Sequence, residues 1–265
     1  MTSYIPARLE EGYGLNPIAI DTLKKQGVEL IVTVDCGITA NHEATLCREL
    51  GIDLVITDHH ECKSELPQAI ALVDPHRKDQ PQPVTEMAGV GVAFKLAAAI
   101  EGEQETLLDQ YCDFLCLGTV ADVMPLTGEN RTMVARGLKA LENPRRVGIA
   151  ALMAECSVQK GPVTAGTIGY TLAPRINAAG RVESGNKAVA LLTADEKLSA
   201  NDIASAINIF NDKRKKLDHD ITEEAIAHIL HSEIEPSKKT TVLFNPRWHK
   251  GVIGIVASRL TESFY

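Results

Sequence analysis

The chain lacks the features that mark membrane-spanning and exported proteins. No apolar run approaches the length of a transmembrane helix, and MTSYIPARLEEGYG at the start has neither the basic residues nor the apolar stretch of a signal peptide. These absences predict a soluble cytoplasmic protein with no membrane partner. With 265 residues and 45 % hydrophobic content, the chain has the length of one large domain or two ordinary ones.

Paired cysteines, a full dinucleotide fingerprint and an excess of basic residues are also absent. The six cysteines include no C-x-x-C, so we expect reduced thiols and no thiolate zinc site. AGVGVAFKLAAAI has no third glycine and no preceding strand, which favours packing glycines over a nucleotide site. A net charge of −8 argues against non-specific coating of nucleic acid but allows a local cationic groove.

Two predicted strands with a helix between them form the clearest unit of the sequence. VELIVTV at 28–34 has the near-continuous apolar character of a strand covered on both faces, and a second strand is predicted at 53–57. The helix over 41–50 makes this a βαβ unit, so the strands should be parallel. Further helices are predicted over 17–25, 91–100 and 105–117, and a third strand over 69–73.

Polar side chains follow both strands of this unit. Asp35 ends the first strand, and Asp58, His59 and His60 end the second. Ligands bind beyond the carboxyl ends of parallel strands, so these residues should share one site. A strand-end aspartate also commonly caps a helix, and paired histidines can be hydrogen-bonded core residues, so for Asp35 taken alone both interpretations stay open.

Asp122 is a single acid in the apolar segment GTVADVMP. Burying it is costly unless it is paired, hydrogen-bonded or bound to a metal. It is either a cap or turn residue or a further contributor to the site. Together with Asp35, His59 and His60 it would give a carboxylate and imidazole set that suits Mn²⁺ or Mg²⁺, and phosphate-ester hydrolysis is the natural reaction of such a site.

The second half of the chain contains an arginine-bearing segment, APRINAAGR, and one long predicted helix. APRINAAGR has weak periodicity and is interpreted as a loop, which either carries arginines to a phosphate or is simply solvated. Residues 199–235 contain neither Gly nor Pro and predict a helix of roughly 45 Å that bridges two domains, with Ser199 and Asp202 as a capping box. Its basic run at 213–216 is interpreted as a solvated face.

After Pro236 a new domain is expected to begin, with TTVLFN as a strand, WHKG as a turn and VIGIVASRLTES as a helix. The expected division is a first domain over 1–198, a connecting helix over 199–235 and the start of a second domain over 236–265. Residues 236–265 offer too little apolar surface for an independent core, so the sequence is expected to be a fragment.

Seven motifs together resemble the DHH phosphoesterase superfamily, and within it the bacterial single-strand-specific DNA exonucleases. They are EGYGLN, VDCGI, TDHH, AGVGVAFKLA, GTVADVMPL, APRINAAGR and WHKGVIGIVASRL. The resemblance implies an α/β fold: a parallel-sheet DHH domain with flanking helices, a long connecting helix and the start of a second α/β (DHHA1) domain. It also implies 5′-to-3′ hydrolysis of single-stranded DNA with two Mn²⁺ or Mg²⁺ ions, in recombination and repair.

The resemblance further assigns roles to residues. Asp35, His59 and Asp122 would be metal ligands, with Asp35 bridging the two ions, while His60 would sit at the reacting phosphate and Asp58 would orient the histidines. At the DNA phosphates, including the 5′ end, it implies Arg8 and either Arg175 or Arg181. Asn177 in APRINAAGR is a further candidate substrate-binding residue. The expected partners are 5′-phosphorylated single-stranded DNA and proteins of a repair assembly.

The sequence departs from the family pattern at both ends. No D-x-D followed by Gly precedes Asp35, and the glycine-rich part of DHHA1 and the OB-fold expected after it are absent. One half of the two-metal site is therefore expected to be missing, and this chain to be weakly active or inactive. The competing hypotheses are a DHH phosphodiesterase acting on short oligonucleotides or cyclic dinucleotides, a pyrophosphatase, which WHKGVIGIVASRL argues against, and a non-catalytic DNA-binding scaffold.

Overall fold

The computed structural model describes residues 2–8, 10–79, 86–231 and 239–264. Its elements in chain order are α1 (Pro17–Lys25), β1 (Leu30–Val34), α2 (Asn41–Glu49), β2 (Asp53–Thr57), β3 (Ala71–Val73), α3 (Gly89–Glu101), α4 (Gln104–Ala121), α5 (Gly128–Leu141), α6 (Val147–Glu155), α7 (Ala165–Thr167), a π-helical turn (Ile168–Leu172), α8 (Ala173–Val182), α9 (Asn186–Leu192), α10 (Lys197–His231) and α11 (Ile253–Phe264).

The three strands form one parallel sheet in the order β1-β2-β3, which confirms the predicted βαβ unit. Val34 pairs with Thr57, and Thr57 pairs with Val73, so the three strands end at the same edge. The α/β fold class is therefore confirmed. The sheet places the residues that follow each strand next to one another.

The prediction that β1 is covered on both faces is wrong. Ile31 and Thr33 are buried, whereas Leu30, Val32 and Val34 are 53 %, 45 % and 52 % exposed. β1 is an edge strand of the described sheet, and the described residues leave one of its faces open to solvent. A continuous apolar sequence indicates that both faces of a strand are apolar. It does not indicate which residues cover either face.

The predicted start of α1 is confirmed, but the predicted loop at APRINAAGR is wrong. The Asn16 side chain accepts a hydrogen bond from the Ala19 N–H at 2.9 Å, as an N-cap should. Residues Ala173–Val182 form helix α8, with Pro174 in its first turn. The buried face of α8 includes the small residues Ala178 and Ala179, so its hydrophobic periodicity is weak although it packs closely against α10.

The long helix α10 has 35 residues, or roughly 50 Å at 1.5 Å per residue. It begins at Lys197, so Ser199 is not its N-cap and the predicted capping box is wrong. Residues 232–235 of the prediction lie outside the described residues. The first half of α10 contributes Ala204 and Ile207 to the main apolar cluster, and its second half contributes Ile221 to a smaller cluster with α11.

The basic run on α10 is only partly a solvated face. Lys213, Lys215 and Lys216 are exposed, as predicted. The side chain of Arg214 is only 14 % exposed and donates to Asn211 Oδ1 at 2.9 Å, so it points inward. Four consecutive basic residues cannot all lie on one side of a helix, because successive positions are rotated by about 100°.

Residues 240–245 form no strand, so the predicted strand at TTVLFN is wrong, while the helix that follows is confirmed as α11. A strand needs a neighbour for its backbone groups, and no described strand lies beside this segment. Among the helices of the described residues, none combines the length and the apolarity needed to span a bilayer.

Candidate metal centre

His59 lies between two acidic side chains that come from different elements. Its Nε2 is 2.9 Å from Asp35 Oδ1, at the end of β1, and 3.3 Å from Asp122 Oδ2, at the end of α4. Helix α4 extends past the predicted 105–117, and Asp122 is its C-cap residue. Asp122 is thus both a cap residue and a neighbour of His59, so the two interpretations of this acid are compatible.

Asp58 is buried behind the histidines. Its side chain is 2 % exposed, and its Oδ1 lies 2.6 Å from His60 Nδ1 and accepts from the His59 N–H at 2.8 Å. Its Oδ2 accepts from the Ile38 N–H at 2.9 Å. These contacts fix the His60 ring with Nδ1 turned inward, which leaves its Nε2 free of Asp58.

The backbone at Asp35 is in the left-handed region, with φ of +64°. Its N–H donates to the Thr57 carbonyl at 3.0 Å, and its own carbonyl accepts from the Tyr13 hydroxyl at 3.1 Å. A non-glycine residue in this region is uncommon and is favoured only when neighbours hold it there. The β1 strand therefore ends in a turn that aims the Asp35 carboxylate at His59.

The charges at the site are not balanced by the protein. Burial raises the pKa of the Asp35 carboxyl, and the negative charges of Asp122 and Asp58 raise it further, although His59 acts in the opposite direction. Burial alone would also raise the pKa of Asp58, but the hydrogen bonds from the Ile38 N–H, His60 and the His59 N–H outweigh it and lower that pKa. A bound cation would favour the charged form of Asp35 and so oppose the effect of its surroundings.

The donor set fits a divalent cation. Asp35, His59 and His60 each offer one ligand atom, and these atoms lie within 4.8 Å of one another, with the Asp122 carboxylate beside them. A set of carboxylate oxygens and imidazole nitrogens suits Mn²⁺ or Mg²⁺. A structural zinc ion would instead be held by thiolates. Among the described residues no other group of His, Cys, Asp and Glu meets the same criterion.

A cleft of about 620 Å³ opens beside Asp35 and Asp122 and contains two of the predicted substrate-binding residues, Arg8 and Asn177. The Arg8 guanidinium lies 5.4 Å from the ring centre of Tyr13, which also lines the cleft. A second cleft of about 310 Å³ lies on the His60 side, and Tyr13 lines it as well. The Tyr13 side chain is therefore shared by both clefts.

The other two predicted substrate-binding residues are engaged elsewhere. Arg175 donates to Asn208 Oδ1 at 2.8 Å and to the Thr171 carbonyl at 2.7 Å, and it does not line the cleft. Arg181 donates to the Gly251 carbonyl at 3.3 Å. Burial lowers the pKa of Arg181, and the nearby charges of Arg8 and Arg214 lower it further. Neither arginine is among the residues that line the cleft.

Three residues near the site were not identified from the sequence: Tyr13, Gly89 and Asp74. Tyr13 and Gly89 lie in EGYGLN and AGVGVAFKLA, two motifs that carried the resemblance. Asp74 follows β3 and is 3 % exposed, and burial raises its pKa. Extending the strand-end argument to the third strand would have identified Asp74 as well.

The contact between Asp58 and His60 predicts a pH dependence of stability in metal-free solution. The lowered pKa of Asp58 stabilises the fold above its ordinary value of 3.8 and is lost as the pH falls through the folded pKa. The hydrogen bond to Asp58 raises the pKa of His60, which stabilises the fold below 6.5 and is lost as the pH rises through the folded pKa. The pair should therefore stabilise the fold fully between about pH 3.8 and pH 6.5, the ordinary pKa values of the two groups.

Replacing His60 by glutamine should therefore reduce the free energy of unfolding more at about pH 5.5 than at about pH 8.5. The difference should stay under about 1 kcal/mol, because the His60 side chain is 49 % exposed and solvent screens the pair. Urea unfolding with EDTA present measures it. His42→Gln is the control, since the His42 side chain is 79 % exposed; an equal pH dependence in both variants would contradict the prediction.

Comparisons with known proteins agree with the motifs. Residues 1–119 match the DHH family, N-terminal domain. The chain is 42 % identical over 262 residues to the single-stranded-DNA-specific exonuclease RecJ of Bacillus subtilis, covering 99 % of this chain and 33 % of that protein. It is 36 % identical over 278 residues to RecJ of Escherichia coli, covering 98 % of this chain and 48 % of that protein.

Solved structures give the same result. A crystal structure of exonuclease RecJ bound to manganese matches with a TM-score of 0.84 and 34 % identity, over 98 % of this chain and 65 % of that one. RecJ of Thermus thermophilus in complex with Mn²⁺ matches with a TM-score of 0.79 and 32 % identity, over 92 % of this chain and 36 % of that one. The chain thus spans about a third to a half of the length of these curated relatives.

Proposed function

We propose that the chain belongs to the DHH family and that the protein, at its natural length, is a metal-dependent nuclease, because residues 1–119 match the DHH family, N-terminal domain, and nearly the whole chain is similar to RecJ exonucleases. The proposed reaction is 5′-to-3′ hydrolysis of phosphodiester bonds in single-stranded DNA, in recombination and repair. The observation that carries the proposal is the position of His59 Nε2, within 3.3 Å of carboxylate oxygens from both Asp35 and Asp122.

Asp35, His59 and Asp122 would hold a Mn²⁺ or Mg²⁺ ion, the metals present in solved RecJ structures. When bound, such a cation polarises phosphoryl oxygens and lowers the pKa of water. Asp35 is suited to face a second ion, because its side chain is 52 % exposed and only one of its oxygens is in contact with His59.

His60 would contact the reacting phosphate. Its Nδ1 is held by Asp58, so its Nε2 is the nitrogen that can face a ligand. The hydrogen bond to Asp58 raises the pKa of His60, which favours the protonated ring and thus a hydrogen bond to a phosphate oxygen. Asp58 acts through His60 and is therefore a positioning residue.

The cleft beside Asp35 would hold the DNA backbone. Arg8 and Asn177 line it and would donate to phosphate oxygens. Arg181 does not line this cleft, but it is kept as a further candidate because the charge of Arg8 acts on its pKa and its guanidinium makes a hydrogen bond to the Gly251 carbonyl only at 3.3 Å. Arg175 does not line this cleft, and Asn208 Oδ1 and the Thr171 carbonyl accept from two of its five N–H groups, so we assign the phosphate contact to Arg8 rather than to Arg175. Local arginines of this kind can bind DNA in a chain whose net charge is −8.

A polypeptide of these 265 residues is expected to bind a single Mn²⁺ ion and to hydrolyse DNA weakly. Among the described residues, only the group around His59 brings at least three His, Cys, Asp or Glu ligand atoms within 4.8 Å of one another. A two-metal site stabilises both the attacking and the leaving oxygen, so the loss of one ion removes much of the rate. This expectation concerns a polypeptide of these 265 residues, whereas the proposed activity is that of the protein at its natural length.

The direct test follows the release of mononucleotides from 5′-phosphorylated single-stranded DNA in the presence of Mn²⁺. The protein at its natural length should be active, Asp35→Ala should lower its rate more than about 100-fold, and duplex DNA should be a poor substrate. Preferential hydrolysis of dinucleotides or cyclic dinucleotides would instead favour the phosphodiesterase alternative. A protein that at its natural length neither hydrolyses DNA nor binds Mn²⁺ would contradict the proposal and favour the scaffold.

A further inference from the structure

The first turn of α3 touches the Asp35 side chain at a place where any larger residue than glycine would collide with it. A Cβ atom added to Gly89 would lie 2.5 Å from Asp35 Cβ and 2.8 Å from both Cγ and Oδ1. These atoms form the carboxylate group itself and the carbon that carries it, so Asp35 has no flexible end that could move instead. The glycine is required here for space.

The same turn also touches the last part of α4. A Cβ atom added to Gly118 would lie 2.6 Å from Val90 Cγ1 and 3.0 Å from Val90 Cβ. Gly118 accepts a backbone hydrogen bond from Asp122, so it lies one helical turn before that acid. Gly89 and Val90 are consecutive. Gly89 contacts Asp35 at the end of β1, and Val90 contacts Gly118 near the end of α4, so the two residues lie between these two elements.

We infer that the first turn of α3, Gly89 and Val90, is a spacer that sets the separation between the Asp35 and Asp122 carboxylates. Both carboxylates reach the same nitrogen of His59 only if this separation is kept. The inference rests on the proposed function, because the spacing matters when the two acids hold one cation. Gly89 is then a positioning residue, acting through Asp35.

The size of the collision decides whether Asp35 can adjust. Two carbon atoms in contact prefer about 3.5–4.0 Å, so a Cβ at Gly89 would displace the Asp35 side chain or α3 by roughly 1 Å. Metal–ligand distances tolerate only about 0.2 Å. A shift of this size would therefore take the carboxylate out of reach of a cation that His59 and Asp122 still hold.

Gly91 provides a matched control on the same helix. A Cβ added there would lie 3.1 Å from Met87 Cβ, and all three of its nearest neighbours belong to Met87. Gly91→Ala should therefore disturb packing without moving a carboxylate. If the glycines of α3 only serve packing, Gly89→Ala and Gly91→Ala will have the same effect on metal binding.

The experiment measures Mn²⁺ affinity by titration calorimetry and thermal stability in EDTA for the 265-residue chain and its variants. Gly89→Ala should weaken Mn²⁺ binding at least about tenfold, in the range found when groups that orient a metal ligand are changed. Gly91→Ala should lower thermal stability but leave the affinity within about twofold. Gly118→Ala should also weaken binding, and adding Val90→Ala should restore part of it, because it removes Val90 Cγ1, the closest colliding atom, and leaves Val90 Cβ in place.

If Gly89→Ala is too unstable for titration, a double-mutant cycle with Asp35→Gly tests by thermal stability whether the two residues collide. In the Asp35→Gly background the collision partner is gone, so adding Gly89→Ala should cause no further loss of thermal stability. Equal Mn²⁺ affinity of Gly89→Ala and the unmodified chain would overturn the inference and leave the proposed function intact. An unmodified chain that binds no Mn²⁺ would overturn both.

Discussion

Replacing His59 by alanine is expected to weaken Mn²⁺ binding by this chain more than about 100-fold, a larger loss than changes in groups behind a metal ligand cause. The substitution removes the nitrogen that lies 2.9 Å from Asp35 and 3.3 Å from Asp122. Two carboxylates would remain, with no neutral ligand between them, and their charges would repel. Titration calorimetry measures the affinity directly.

His42→Ala is the matched control for this substitution. The His42 side chain is 79 % exposed, and its only acidic neighbour among the described ion pairs is Glu43 at 3.8 Å. The control should bind Mn²⁺ as the unmodified chain does. Thermal unfolding in EDTA must show that His59→Ala still folds, and an affinity within about tenfold of the unmodified chain would contradict the assignment of His59 as a ligand.

Gly251→Ala is expected to cost about 2–3 kcal/mol of unfolding free energy. A Cβ atom at Gly251 would lie 2.2 Å from the Arg181 carbonyl oxygen, and a backbone atom at the end of α8 cannot move aside cheaply. The same change would disturb the hydrogen bond from Arg181 to the Gly251 carbonyl. For a chain of this size the melting temperature should fall by roughly 5–10 °C, which calorimetry measures.

Gly254→Ala is the control, three positions further along the chain. No heavy atom lies within 4 Å of a Cβ added there, and Gly254 is exposed in the first turn of α11. Alanine should be neutral or stabilise by up to about 1 kcal/mol, since it reduces the freedom of the unfolded chain. Equal melting temperatures of the two variants would show that the contact with Arg181 does not hold α11 in place.

The arrangement around Asp35 and His59 was predictable because it depends on local rules. Two apolar runs with a helix between them specify parallel strands, and parallel strands bring their carboxyl ends together. The polar residues that follow such strands must then be neighbours. The same reasoning could not show that one face of β1 is open, because the coverage of a face depends on other parts of the chain.

Asp122 and Gly89 mark the limit of that reasoning. Asp122 was singled out because burying an acid is costly, but its side chain is 46 % exposed, so that premise is wrong. Its distance to His59 depends instead on where α4 ends, and the helix continues to Ala121. Gly89 was interpreted as a packing residue, because sequence spacing does not reveal which side chain it packs against. The close contact with Asp35 arises from tertiary structure alone.

Helix α8 was missed because its contacts are made by small residues. Ala178 and Ala179 are fully buried but give little hydrophobic contrast in the sequence. The orientation of a helix also decides which of its polar residues reach a cleft. Asn177 lines the cleft while Arg175, two residues away, bonds to Asn208, and no pattern in APRINAAGR separates the two positions.

The way α10 is shared between two apolar clusters has a consequence for unfolding. Ala204 and Ile207 belong to the first cluster, and Ile221 and Ala225 belong to the second, along one helix that contains neither glycine nor proline. If the second cluster opens, the half of α10 that it supported loses its packing. That half must then either stay helical with its apolar side chains exposed or unfold, and both outcomes raise the free energy of the partly open state. The two clusters should therefore lose their structure in one cooperative transition, and species in which only one of them is folded should be sparsely populated.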